Sequence, residues 1–149
     1  VYKRQGLGTH FGLILVYLGG SIGFNSWLIK GFMDTISPSL DEAAKVDGAS
    51  EYQIFSKIIA PLSRPILVVI FVITFIGIYS DFILAAIFLK DKNLWTVAVG
   101  INTVFVDDFN ADWGVIAASS VIAATPIAVL FIFFQKQITG GLTAGSVKG

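Results

Sequence analysis

Three long apolar stretches separated by two polar segments set the pattern of this chain. The first stretch runs from about residue 11 to 29, the second from 65 to 89 and the third from 115 to 134. Each is near the about 20 residues of helix that cross a bilayer's hydrocarbon. Between them lie a polar segment from Lys30 to Arg64 and a shorter one from Lys90 to Gly114, and a polar tail follows from 135 to 149. The pattern predicts an all-α membrane bundle of three transmembrane helices, with the chain ends on opposite sides. If the first polar segment and the tail are cytoplasmic, the inside holds Lys30, Lys45, Lys57, Arg64, Lys136 and Lys148, against Lys3, Arg4, Lys90 and Lys92 outside. That asymmetry follows the positive-inside rule, though weakly.

Composition strengthens the membrane reading. Hydrophobic residues make up 55% of the 149 and charged residues 13%, against about 25% charged in soluble domains. Mean hydropathy is +0.81. Ten basic and ten acidic residues cancel, so no global field steers nucleic acid or another charged partner. There is no cysteine and one histidine, His10, which excludes disulfides, thiolate metal sites and a histidine-rich metal centre. No signal peptide is visible, and a start at Val1 suggests a fragment or the later part of a longer protein.

Residues 37–61 carry the densest local signals. Ser39-Leu-Asp-Glu42 and Ser50-Glu-Tyr-Gln53 both read as capping boxes. Gly48 is placed to end the first helix in a left-handed conformation, and Pro61 to stop the second. Leu40, Ala43 and Ala44, then Tyr52, Phe55, Ile58 and Ile59, recur at helical spacing. The segment is thus predicted to be an amphipathic helix pair whose apolar face needs a partner.

Other candidates lie in or beside the apolar stretches. Asp81 is an ionisable residue inside the second, where a carboxylate at mid-bilayer costs about 2.5–3.5 kcal/mol. It either faces the bundle interior, near a translocation path or another subunit, or is solvated at the outer interface. Gly8-xxx-Gly12, Gly19-xxx-Gly23 and the stripe Ser120, Ala124, Ala128 offer close-packing faces. Trp27 and Lys30 suit an interfacial anchor, and Pro126 is placed to bend the third helix. Asp108-Phe-Asn110-Ala-Asp112 imitates a calcium loop, but positions six and twelve hold Trp113 and Ser119 where glycine and glutamate belong, so no metal site is expected.

Glu42-Ala43-Ala44, three residues, Gly48, nine residues, Ile58, two residues, Pro61 resembles the EAA loop of ATP-binding-cassette importer permeases. That pattern is EAA, three residues, G, nine residues, I, one residue, LP; Ala60 stands here in place of leucine. Tyr79-Ser80-Asp81-Phe82 resembles the aromatic–polar–acid–aromatic element of the following helix. Gly141 to Gly149 resembles the tail of carbohydrate permeases. Nearly the whole chain is similar to the C-terminal half of a maltose-type permease subunit, the latter three helices of a six-helix type I bundle.

The resemblance implies an ATP-driven sugar importer, with maltose or maltodextrin the nearest substrate, in the inner or plasma membrane of a prokaryote. It implies an ATPase dimer, a second permease subunit and an extracytoplasmic solute-binding protein as partners. Glu42, Ala43, Ala44, Asp47, Gly48, Ile58 and Pro61 would contact the ATPase, as would Gly141, Leu142, Thr143 and Lys148 of the tail. Asp107, Asp108, Asn110 and Trp113 of an outer loop would meet the binding protein, although Trp113 also suits an interfacial belt. No catalytic residue and no cofactor is expected on this chain. No glycine loop ending in Lys-Ser/Thr is present, so ATP and magnesium would belong to the partner. The alternatives are a permease for another solute, a non-transporting anchor or assembly subunit, which has no use for an EAA loop, and an ion-coupled carrier, which would want paired intramembrane charges.

Overall fold

The structure, a computed structural model, describes residues 8–106 and 113–143 of the chain. Helices and turns account for these residues, without a strand among them. This follows from composition: where water is scarce a backbone must satisfy its own donors and acceptors, and a helix does so within one segment. The order is α1 (His10–Met33), α2 (Pro38–Val46), α3 (Glu51–Ile54), a π-helical turn (Phe55–Ile59), α4 (Ala60–Leu62), α5 (Arg64–Tyr79), α6 (Ile83–Phe88), a 3₁₀ turn (Lys92–Leu94), α7 (Val97–Val106) and α8 (Trp113–Thr143).

Two of these helices, His10–Met33 and Trp113–Ile138 within α8, are long and apolar enough to cross a membrane. A third crossing requires the bent pair Glu51–Leu62 and Arg64–Tyr79, which meet at 60°. At 1.5 Å per residue α1 extends about 36 Å and α5 only about 24 Å, against about 30 Å of hydrocarbon. The apolar stretch 65–89 is therefore not one helix: α5 ends at Tyr79 and α6 begins at Ile83. The third stretch differs in the opposite sense, since α8 runs through Pro126 and continues into the polar tail as far as Thr143.

The chain divides into two compact units. The first gathers residues 8–22 and 73–132 among those described. Its core is Leu13, Ala85, Leu89 and Val99, with Tyr17, Ala86, Phe88, Leu94 and Trp95 packed around it. His10, Leu13 and Tyr17 share a face of α1 by their spacing, and the His10 ring lies 2.9 Å from the Leu94 carbonyl oxygen. Lys92 sits 5.6 Å from the Trp95 ring centroid. The segment 90–114, expected as an outer loop, thus contains a helix whose Val99 is buried. The apolar run Val97–Ile101 supplies that helix with a side to bury.

The second unit gathers residues 23–72 and 133–143 among those described. Ala44, Ile54, Val69 and Val72 are buried in it. Phe71 and Phe134 meet edge to face at 5.9 Å between centroids. Ser63, also buried, marks the bend: its hydroxyl donates to the Ile59 carbonyl at 2.8 Å and lies 3.7 Å from the Met33 sulfur. Pro61 does not stop the helix, as its place in the sequence suggests. A proline ring clashes with the carbonyl four residues back, and here the turn before it widens to a π-helix, with the Ala60 amide donating to Phe55. The stop comes at Ser63, just before the Arg64–Pro65 pair.

Two of the small-residue faces, at Gly19–Gly23 and at Ser120–Ala128, are largely uncovered among the described residues. A Cβ at Gly19, Gly20 or Gly23 would meet nothing within 4 Å, and Ser120, Ala124 and Ala128 are at least partly exposed. Large apolar side chains such as Phe11, Ile22, Trp27, Ile122 and Phe133 are exposed as well, as expected of helices meant for lipid or for further helices.

The two helix starts in 37–61 respond differently to serine replacement. The N-cap of α2 is Ser37, followed by Pro38 at the first helical position, and its side chain makes no capping bond; the box expected at Ser39–Glu42 is absent. The box at Ser50–Gln53 is formed, with Gln53 N donating to Ser50 Oγ at 3.3 Å and Ser50 N donating to Gln53 Oε1 at 2.9 Å. Losing such a cap costs about 1 kcal/mol. Ser50→Ala should raise amide hydrogen exchange across Glu51–Ile54 about five-fold in the complete transporter, whereas Ser39→Ala should leave Leu40–Ala43 unchanged. Equal effects of the two would contradict these cap assignments.

Candidate functional site

Two constellations carry the candidate chemistry, and each lies within one unit. The first is the helix pair of residues 37–61. After α2 the chain reverses through a double backbone closure. Gly48 N donates to Lys45 O and Ala49 N to Ala44 O, both at 3.0 Å, and Gly48 has φ +82°. This is the Schellman arrangement, in which a left-handed residue past the helix end lets the next two amides satisfy orphan carbonyls. A Cβ at Gly48 would meet nothing within 4 Å, so glycine is required for its backbone and not for space.

Lys45 ties the two helices together. Its ammonium reaches Asp41 Oδ2 at 2.8 Å and Glu51 Oε1 at 3.1 Å. The hydrogen bonds to Asp41 and then Glu51 hold the lysine above its ordinary pKa. All three side chains are well exposed, so water screens the pairs and they orient more than they stabilise. Ala44 and Ile54 are the buried anchors beneath the turn. Ile54 is not singled out by the amphipathic pattern, although it lies four residues before Ile58.

The expected coupling residues fall on both sides of this turn. Glu42, Ala43, Asp47 and Gly48 are exposed, Ala44 is buried, and Ile58 and Pro61 are half-buried. Leu40, Val46, Tyr52 and Phe55 are exposed too, Val46 by 88% and Tyr52 by 78%. The apolar face read from the sequence is therefore largely open. Glu42 is not at the third helical position, because the helix begins earlier than the sequence suggests. Its carboxylate has no ion pair or hydrogen bond among the described residues.

The second constellation centres on Asp81. The half-buried carboxylate accepts the Tyr17 hydroxyl at 2.7 Å, the Leu84 amide at 3.1 Å and the Ala85 amide at 3.2 Å, all at Oδ2. It thus caps α6 and ties the break at 80–82 to α1. Aspartate competes for backbone amides in this way wherever a helix can be restarted, which explains why the apolar stretch is interrupted here. One carboxylate oxygen of Asp81 is thus bonded within the chain. Tyr17 escapes a sequence reading because its partner is 64 residues away; a tyrosine among the aliphatic residues that open α1 was the available signal. Phe75 and Tyr79 stack at 5.6 Å beside the break. A shallow cleft of about 220 Å³ there carries Tyr79 and Ser80 among alanine, valine and isoleucine.

The remaining expectations fall elsewhere. Trp113 opens α8 and is 78% exposed. Gly141, Leu142 and Thr143 belong to the last turn of α8. Asp107, Asp108, Asn110 and Lys148, and with them the calcium-like sequence, lie outside the described residues. Among the described residues no group of three or more histidines and carboxylates could hold a metal ion.

Comparison with known proteins places this geometry in a family. The model of the binding-protein-dependent transport system inner membrane component matches residues 6–143. The maltose/maltodextrin transport system permease protein MalG of Vibrio vulnificus is 46% identical over 144 residues, covering 97% of this chain and 48% of that protein. The proteins of that name from Photorhabdus laumondii and Escherichia coli K12 are 45% and 44% identical over the same length. The chain spans about half the length of the curated relatives it matches. A match over nearly all of the chain, together with the capped helix pair between its apolar helices, shows that it belongs to the family of binding-protein-dependent transport system inner membrane components.

Proposed function

We propose that this chain forms part of the permease of an ATP-driven sugar importer, and that residues 37–61 receive the movement of a partner ATPase. The sugar is taken to be maltose, a maltodextrin or a related oligosaccharide, after the names of the relatives. The single observation that carries the coupling role is the state of Glu42. It is exposed on a closed helix pair, one turn before exposed Val46, on the same pair as exposed Tyr52, with its charge unanswered among the described residues. An apolar patch with one such carboxylate suits a protein surface that brings a cation.

In this reading the ATPase dimer binds and hydrolyses ATP with its own magnesium, and this chain supplies no catalytic group. Closure of the dimer displaces the helix pair as one piece, because its turn is held by the Schellman bonds, the capping box and Lys45. Rigid-body displacement of such an element alternates access between the two membrane faces. A second permease subunit completes the path, and a solute-binding protein delivers the sugar to the outer loop around Asp107, Asp108, Asn110 and Trp113. The tail from Gly141 to Lys148 adds a second contact with the ATPase. The chain then lies in the inner membrane as a multi-pass protein, with 37–61 and the tail cytoplasmic.

Two experiments test this. Glu42→Gln keeps the side chain's shape and leaves the Ser37 start of α2 untouched, so any effect reports the charge. Unmatching an interfacial cation costs about 2–5 kcal/mol. The variant transporter should insert normally, yet lose at least about ten-fold in assembly with the ATPase or in substrate-stimulated ATP hydrolysis. Wild-type values for both would remove Glu42 from the coupling surface. For sidedness, Lys57→Cys and Asp108→Cys are placed singly in the full-length protein, with any cysteine outside these 149 residues, which have none, replaced by serine. An impermeant thiol reagent should label position 108 in intact cells and position 57 only after permeabilisation; the reverse would invert the topology.

A further inference from the structure

A groove in the second unit combines an apolar trough with a cationic head. It is lined by Arg64, Leu67, Val68 and Phe71 of α5 and by Phe134 and Gln137 of α8, and encloses about 520 Å³. Residues 64, 67, 68 and 71 recur on one helical face. Phe71 and Phe134, in edge contact, lie toward one end of it. Arg64 and Gln137 sit together at the other end, where their donors have no partner among the described residues. From Arg64 to Phe71 the trough runs about 10 Å along α5, about a third of the hydrocarbon thickness.

We infer that this groove holds an anionic phospholipid, its phosphate on the Arg64 guanidinium and Gln137 amide, and the upper part of one acyl chain along Leu67, Val68 and Phe71. Charge decides the occupant. Arginine presents five donors in a planar fork that matches a phosphate's oxygens, and Gln137 adds amide donors beside it. A polypeptide segment would have to bring its own carboxylate to the same point, whereas an anionic lipid carries head charge and apolar tail in the order the groove presents them. Basic pockets between membrane helices hold anionic head groups by this chemistry. The inference needs only that α5 and α8 lie in a bilayer. It depends on neither the coupling role nor the sidedness proposed above.

The test uses the complete transporter. Native mass spectrometry after equilibration with equal amounts of dioleoyl phosphatidylglycerol and dioleoyl phosphatidylcholine should show phosphatidylglycerol retained. Arg64→Gln should reduce that retention about five-fold, the effect of one basic residue at an anionic surface, and Arg64→Lys should keep most of it. Equal retention in wild type and Arg64→Gln overturns the inference. A second measurement stands apart from the arginine variants' stability. The fluorescence added by Val68→Trp should be quenched more by dibrominated phosphatidylglycerol than by dibrominated phosphatidylcholine. Equal quenching by the two would mean an ordinary lipid-facing surface. No quenching by either would mean that protein fills the groove. Both results contradict the assignment.

Discussion

A backbone surrounded by apolar side chains has few places to put its amides and carbonyls, and each interruption of a helix frees several at once. In this chain the main interruptions of the helical run are answered by named groups. At residues 80–82 the Asp81 carboxylate takes the Leu84 and Ala85 amides that start α6. At 47–50 the Gly48 turn closes two carbonyls, and the Ser50–Gln53 box closes both ends of its own cap. At 61–63 a π-helical turn accommodates proline, and the Ser63 hydroxyl bonds back to Ile59. The helices are a consequence of composition; where they stop is a consequence of a few polar side chains.

Those stops are also where the candidate chemistry lies. The helix pair 37–61 is polar and tightly closed on itself, yet it leaves Val46, Tyr52 and Glu42 to the outside. The Asp81 site does the opposite, spending its carboxylate inside the chain on Tyr17 and two amides. A group with its partners at hand holds a local shape. Glu42 and Arg64 have no such partners among the described residues. That contrast separates Glu42 and Arg64 from Asp81, although all three are charges on an apolar chain.

Much of this was legible in the sequence, because much of it is local. The all-helical character follows from the apolar stretches, and the left-handed Gly48 and the Ser50–Gln53 box follow from spacing rules of a few residues. The errors came where two local rules compete or where the deciding contact is distant. Ser39–Glu42 satisfies the capping-box pattern, but Pro38 fixes a helical φ one position earlier and Ser37 becomes the cap. Pro61 reads as a stop, but a wider turn absorbs it. The break at Asp81 depends on Tyr17, and the packing of α7 depends on Leu13, Ala85 and Leu89; no local window contains those partners.

The central claim is that the exposed face of residues 37–61 is covered by the ATPase. Val46, 88% exposed beside the Gly48 turn, reports on it most directly. A photoreactive benzoylphenylalanine at position 46 of the complete transporter should, on irradiation in membranes, form an adduct with the ATPase subunit. The same group at the exposed position Phe11 of α1 should form none with that subunit. An ATPase adduct at 46 that is absent at 11 is the result this account predicts; at position 46, adducts to lipid alone, or no adduct with the ATPase, would contradict it.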